Sequence, residues 1–558
     1  MSVDAGHRTL VGVGVGRGLV VGPVAKAYPS PVIPGGGGGD PEQLEAAFDQ
    51  VAASLGDRAA AATGALAEVL AATAQMAADP ALRSEARQRV AAGETPAEAV
   101  DRAIARFVDM FTAAGGALAE RVTDLRSVRD RVVAVLLGLD EPGVPPLSEP
   151  SVVVAADLAP ADTATLDVRL VLAIVTERGG PTGHTAIIAG QLGIPCVVRT
   201  TGAMDLAPGA QVAVDAVAGT VTLDPGPDIR EQARARRAAA VALESDTGPG
   251  ATADGHAVKL MANIGTAKDA ERVSLLPTEG VGLFRTEVLY LGRASAPSHA
   301  EQASVYGQVL RAFEGGKVVV RTLDAGADKP LPFVTQSGEE NPALGVRGYR
   351  LVRSHPELLD TQLAALAEAQ AATGTTPWVM APMVTTPAEA RAFATRARAA
   401  GLTLVGVMIE VPAAALRAQE ILAEVDFVSV GTNDLAQYTM ATDRLRGELA
   451  DLLDPWQPAV LDLVDTTARA GLQARKPVGV CGESASDPLL ALVLVGMGVT
   501  SLSMSVGAIP AVRYALRHHT SAECATMAAA ALAAGSAAEG RSAVVALLHE
   551  DARETLGV

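Results

Sequence analysis

Between residues 258 and 505, short apolar runs alternate with helix-like stretches. Eight can be counted: VKLMANI, GVGLFRTE, KVVVRTLD, WVMAPMV, TLVGVMIE, FVSVGTND, PVGVCGE and SLSMS. Brief runs rich in Val and Ile, separated by helical patterns, are the mark of parallel strands joined by crossover helices. Eight such units close into a (β/α)8 barrel, whose chemistry gathers at the C-terminal ends of the strands. Asn263, Arg285, Arg321, Glu410, Asn433, Asp434 and Cys481 all stand at or just beyond the ends of these runs. A core that served only to pack would not place charge there so consistently.

The first half of the chain reads differently. TLVGVGVGRGLVVGPVAKAY (9–28) resembles a strand pair punctuated by glycines, and those glycines do not form GxGxxG ahead of a helix. From about 41 to 140 the segments EQLEAAFDQVAASLGDRAAAA, TPAEAVDRAIARFVDMF and ALAERVTDLRSVRDRVVAVLLG repeat apolar residues every three or four positions, which predicts a helical bundle. DEPGVPPLSEP (140–150) is a linker. SVVVAADL, LVLAIVTE, PCVVRT and QVAVDAVAGTVTL then read as short strands around a helix that begins near His184, and DIREQARARRAAAVALES (228–245) as an exposed connecting helix.

At 558 residues the chain exceeds what one core serves, so several domains are expected. Its formal net charge of −18 argues against wrapping nucleic acid. An anionic substrate would therefore have to meet locally concentrated arginines. No window holds the ~18 uninterrupted apolar residues of a membrane helix, so membrane insertion is not expected. The start, MSVDAGHRTL, lacks the halves of a signal peptide, and a cytoplasmic location is expected. Cys196, Cys481 and Cys524 form no CxxC pair, which suits a reducing compartment.

Glu410 and Asp434 are hard oxygen donors at the ends of consecutive strands. They could share an octahedral Mg²⁺ that takes its other ligands from water and substrate. The competing reading is a pair of carboxylates satisfied by arginines. Arg285 and Arg321 end strands, while Arg347, Arg350 and Arg444 lie in the following loops. Several guanidiniums could thus face one pocket suited to phosphate and carboxylate. Cys481 is either a small buried hydrophobe or, from its place at a strand end, a proton donor or nucleophile. Cys196 and Cys524 read as structural, and the adjacent His518 and His519 point to different sides of a helix.

His184 sits in GGPTGHTAIIAG (179–190), behind glycines 179, 180 and 183 and at the start of an apolar helix. Helix N-termini favour an anion. By spacing alone the histidine could close a turn, bind a metal, shuttle a proton or carry a covalent group.

GGPTGHTAIIAG resembles the phosphohistidine signature of the phosphoenolpyruvate (PEP)-utilising enzymes. VGLFRTE, VVVRTLDAGADKPLP, ENPALGVRGYR, IEVPAA, VSVGTNDLAQYTMATDR and VGVCGESASDP resemble, in order, the barrel motifs of its enzyme I branch, the bacterial sugar phosphotransferase system. The resemblance implies a phosphotransferase that moves the phosphoryl group of PEP onto His184, releases pyruvate, and passes the group to a histidine of the phosphocarrier HPr. By motif position Arg285 and Arg321 would bind phosphate, and Asn433, Asp434 and Arg444 would contact substrate. Glu410 and Asp434 would hold Mg²⁺, and Cys481 would protonate the enolate. The implied architecture is α/β and multidomain. A swivelling phosphohistidine α/β domain (1–30 and 145–228) carries an inserted α-helical HPr-binding bundle (31–144). A linker helix (229–250) leads to a PEP-binding, dimerising (β/α)8 TIM-type barrel (251–558), so a homodimer is expected.

Two other readings remain at this stage. One is a PEP synthase or dikinase-like enzyme, which would need a nucleotide domain that the 183 residues before His184 leave no room for. The other is a non-catalytic homologue that senses PEP.

Overall fold

The chain divides into two units, Met1–Ala238 and Ala239–Val558. A computed structural model describes residues 8–16, 18–28, 30–34, 42–61, 65–114, 121–158, 162, 166–167, 169–180, 184–291, 293–326, 331–334, 339–443 and 447–558.

In the first unit the glycine-rich start forms three strands rather than a pair: β1 Thr9–Val11, β2 Val13–Val15 and β3 Leu19–Lys26. Each finds a different neighbour, and the glycines are the reason. A Cβ on Gly12 would lie 2.5 Å from the Val198 carbonyl oxygen, and one on Gly14 would lie 1.8 Å from that of Ala216. Only bare backbone fits where these strands cross others.

Among the described residues five helices follow: α1 Gln43–Ala61, α2 Ala65–Ala77, α3 Pro80–Ala91, α4 Pro96–Ala114 and α5 Val122–Leu137. Asp79 caps α3 by accepting from the N–H groups of Ala81 and Leu82 at 2.8 and 2.9 Å, with Pro80 at the first helical position. The apolar faces predicted from the three- and four-residue spacing meet in one core of Phe48, Leu55, Leu70, Val100, Ile104 and Val132.

The chain then returns to the sheet as β4 Ser151–Ala155, β5 Val171–Thr176, β6 Cys196–Val198, β7 Gln211–Asp215 and β8 Thr220–Leu223. Strand order is β1-β8-β7-β3-β4-β5-β6-β2. β3 pairs in parallel with β4, Val24 opposite Val152, so the bundle is an excursion between neighbouring strands. Helix α6 His184–Leu192 is the crossover from β5 to β6, and α7 Pro227–Ser245 leads away from β8.

In the second unit eight parallel strands close a barrel: β9 Lys259–Ile264, β10 Gly280–Arg285, β11 Lys317–Arg321, β12 Trp378–Ala381, β13 Leu404–Ile409, β14 Phe427–Val430, β15 Val478–Val480 and β16 Ser501–Met504. The eight runs read from sequence are these eight strands. Alternation decides what each side chain meets. Val318 and Val320 pack toward the surrounding helices, whereas Val319 joins Leu283, Met380, Met408, Phe427 and Cys481 in a separate cluster inside the barrel. Arg321 continues the inward set at the strand's end.

Capping boxes start several barrel helices. Thr266 with Asp269, Ser298 with Glu301 and Thr386 with Glu389 each exchange side-chain and backbone hydrogen bonds. The helix Pro488–Met497, PLLALVLVGM, is apolar on every side, and Ser521–Leu532 packs across it. A helix of that kind is stable in water only when covered.

Candidate functional site

At the C-terminal ends of β10 to β15 the structure collects an ionic cluster. Arg321 is buried and pairs with Glu287 at 2.5 Å and Asp324 at 3.2 Å. Arg347, 1% exposed, donates to both carboxylate oxygens of Asp324 at 3.1 and 2.9 Å and to Asp434 at 3.2 Å. Charges this deep are held only by partners. The acids press the Arg321 guanidinium well above its usual range, outweighing the burial that acts against it.

Glu410, at the end of β13, is fully buried. Its Oε1 accepts the Met383 N–H at 2.7 Å, while among the described residues Oε2 has no hydrogen-bond partner. Burial, and then the neighbouring Asp434 and Asp324, push the Glu410 carboxyl up to about 8. Met383 offers that N–H from a left-handed backbone conformation, φ +59°. Such strain in a non-glycine residue persists only where its surroundings impose it. A Cβ on Gly431 would sit 3.0 Å from Glu410 Oε2, so the glycine lets the β14 end pack closely against that buried oxygen without a side chain crowding it.

These residues fit a hard divalent cation. Glu410 presents an unpaired carboxylate oxygen in a site that disfavours its charge, and Asp434 adds oxygen donors beside it. Mg²⁺ typically takes one or two protein carboxylates and fills the rest of its octahedron with water and substrate oxygens. Among the described residues no set of three or more His, Cys, Asp or Glu is grouped to hold a metal ion.

Cys481 follows β15 and points its thiol at the Val430 carbonyl, 3.6 Å away. Burial pushes the thiol up, so it holds its proton at neutral pH. Asn263 donates to the Cys481 carbonyl at 3.4 Å and accepts from Ser503 at 2.6 Å. Asn433 accepts the Glu483 N–H at 2.9 Å, fixing the loop that carries the cysteine. Arg285 stands exposed at the end of β10 and among the described residues forms no ion pair.

The sequence reading is thus refined in two places. Arg347, expected to face an anion-binding pocket, is instead bonded to Asp324 and Asp434. Arg350 braces its own loop, donating to the carbonyls of Leu344 and Gly345 and to Thr385. Arg444 lies outside the described residues. Glu287, Asp324 and the Met383 N–H were missed. The two acids could have been found, since each follows a chosen arginine by two or three positions in FRTE and RTLD.

In the first unit His184 is the first residue of α6. Residues 181–183 and the His184 side chain lie outside the described residues. The surroundings of the helix start are tied down. Thr185 Oγ1 bonds the Leu158 carbonyl at 3.2 Å, Gly179 has φ +88°, and Arg199 donates from Nε to the Gly179 carbonyl at 3.1 Å.

Comparison with known proteins gives these sites a context. Three family models match: PEP-utilising enzyme, N-terminal, over 11–121; mobile domain, over 147–219; and PEP-binding domain, over 240–521. The phosphoenolpyruvate-protein phosphotransferase of Streptomyces coelicolor is 50% identical over 560 residues, covering 97% of this chain and 99% of that protein. The protein of the same name from Haloferax volcanii is 40% identical over 83% of each chain. That from Bacillus subtilis is 38% identical over 77% of this chain and 79% of its own. The chain belongs to the PEP-utilising enzymes. Within that family it is a phosphotransferase, with its PEP-binding model falling on the barrel and its mobile-domain model on β4 to β7 and α6. No helix among the described residues is long and apolar enough to cross a membrane.

Proposed function

We propose that the barrel binds PEP at the C-terminal strand ends and that its phosphoryl group is transferred to His184 and onward to a histidine of an HPr-type phosphocarrier. The observation that carries the reading is the half-satisfied Glu410 carboxylate beside Asp434, set among strand-end arginines. Mg²⁺, held by Glu410 and Asp434, would neutralise phosphate and carboxylate charge on the substrate. Arg285 and Arg321 orient the phosphate, and Asn433 and Arg444 the rest of the molecule. The enol P–O bond breaks as a P–N bond to the His184 ring forms, and the electron pair stays on the enolate oxygen. Cys481 then delivers its proton to the methylene carbon, giving pyruvate, and the thiolate is reprotonated from solvent. Such transfer depends on positioning and charge stabilisation more than on a strong base.

The names of the curated relatives support PEP as donor and a protein as acceptor. A homodimer in the cytoplasm completes the proposal. The test is incubation of purified protein with Mg²⁺ and PEP labelled in the phosphoryl group. Acid-labile label on the wild type and none on His184→Ala is expected; label on both, or on neither, refutes the assignment. Onward transfer to added HPr tests the acceptor.

A further inference from the structure

We propose that Gln362 is a positioning residue for the barrel site, acting through Thr286 to hold the ends of β10 and β11 in one geometry. The inference rests on the PEP-binding reading above. Gln362 lies on the helix Pro356–Thr373, outside the barrel, and is 0% exposed. A buried amide costs free energy unless its groups are paired. Here they are. Oε1 accepts the Leu323 N–H at 2.9 Å, and Nε2 donates to Thr286 Oγ1 at 3.0 Å and to the Tyr306 hydroxyl at 2.9 Å. Thr286 Oγ1 in turn donates to the Arg321 carbonyl at 2.7 Å.

What these bonds replace gives them their role. The β10–β11 ladder ends where Arg285 faces Arg321. Beyond that point the strands diverge, and the backbone groups of Arg321 and Leu323 would lose their partners across the pair. Gln362 and Thr286 supply substitutes on both sides of Thr322. Four charged groups stand within two residues of the anchored atoms: Arg285 and Glu287 flank Thr286, while Arg321 and Asp324 bracket the segment that Gln362 grips. One side chain therefore sets the spacing between two arginines proposed to share a phosphate and two acids that hold one of them. The support extends outward. The Tyr306 and Tyr290 hydroxyls both donate to Gln302 Oε1, at 3.1 and 3.0 Å, and Gln302 Nε2 donates to the Pro297 carbonyl at 3.0 Å. Each hydroxyl and amide group in this chain of bonds has at least one partner, which favours a single arrangement of the network.

Misplacing binding groups by about 1 Å can cost as much as 100-fold in rate. Thr286→Val, which keeps the shape and removes the hydroxyl, should lower kcat/KM for pyruvate formation from PEP by about tenfold, with KM rising and kcat falling. Thr286→Ser should restore it. Gln362→Leu should behave like Thr286→Val, and the double variant should lose little more than the worse single, because both act through one clamp. Val544→Ala, a core truncation in the remote helix Ala537–Leu547, reports what lost stability alone does and should leave the kinetics of folded protein unchanged.

Wild-type kinetics in folded Thr286→Val, or additive losses in the double variant, overturn the proposal. So does an equal loss in Val544→Ala. If Gln362→Leu does not fold, the two Thr286 variants decide. If the wild type forms no pyruvate, the function proposed above fails. The clamp is then judged by amide exchange at Leu323, which should quicken about tenfold or more in Thr286→Val; unchanged exchange refutes it.

Discussion

Replacing Glu410 by Gln should abolish phosphoryl transfer and, in metal-free protein, stabilise the barrel. Glutamine keeps an Oε1 acceptor for the Met383 N–H and removes a charge that the site resists. The carboxyl moves from an ordinary value of 4.5 to about 8. At pH 7 the unfolded chain carries it ionised, so folding must take up a proton against a gap of about 2.5 pH units. At about 1.4 kcal/mol per unit this costs about 3–4 kcal/mol, rising to about 5 above pH 8. Because the folded value is raised, the stabilising effect of the wild-type carboxyl is complete below pH 4.5 and lost as pH rises toward 8. The difference between variant and wild type should therefore be near zero at pH 4.5 and grow steadily up to pH 8. Calorimetry of the barrel transition in the presence of a chelator measures it. Adding Mg²⁺ should raise the wild-type transition and leave Glu410→Gln where it was. A variant less stable than wild type at pH 8 without metal would refute the account of Glu410 as a buried carboxyl whose charged form the metal-free site disfavours.

Three further outcomes follow from neighbouring geometry. Arg347→Met removes the guanidinium that the buried Asp434 and Asp324 share, leaving Asp324 only Arg321 of the two, and should cost about 3–5 kcal/mol in denaturant unfolding, independently of any effect on activity. Gly482→Ala would bring a Cβ to 2.0 Å from Thr432 Oγ1, forcing apart the loops that carry Cys481 and Asn433. Pyruvate formation should drop about tenfold or more while the barrel stays folded by circular dichroism. His519 is buried with Nδ1 against the Ala515 carbonyl, and burial holds its imidazole below the usual 6.5. Stability from the neutral ring is thus present above pH 6.5 and lost as pH falls. The wild-type melting temperature should decline from pH 7 to 5, and more steeply than that of His519→Asn.

The barrel was legible because its signal is local. Val and Ile runs such as KVVVRTLD and TLVGVMIE, bounded by cap sequences such as TAKD, SHAE and TPAE, specify strand and helix within a few residues of chain. The placement of Arg285, Arg321, Glu410, Asp434 and Cys481 at strand ends follows from the same counting. The three-way split of the first strands was less legible, since the glycines of GVGVGRG mark close approach without saying to what. Fold class and the position of these residues at strand ends could thus be read from sequence, whereas the partners of each charge could not.

The linear order of residues determined that eight strands alternate with helices, that acids and arginines stand at their C-terminal ends, and that a histidine opens a helix behind a glycine loop. Tertiary structure alone decided that Arg347 is spent on Asp324 and Asp434 while, among the described residues, one Glu410 oxygen has no hydrogen-bond partner. It also decided that a glutamine on an outer helix grips the ends of β10 and β11. The physical reason is range. Periodicity and capping act over one or two turns, but ion pairing and desolvation depend on which distant strand ends closure brings within ~4 Å, where a buried charge is either compensated or left waiting.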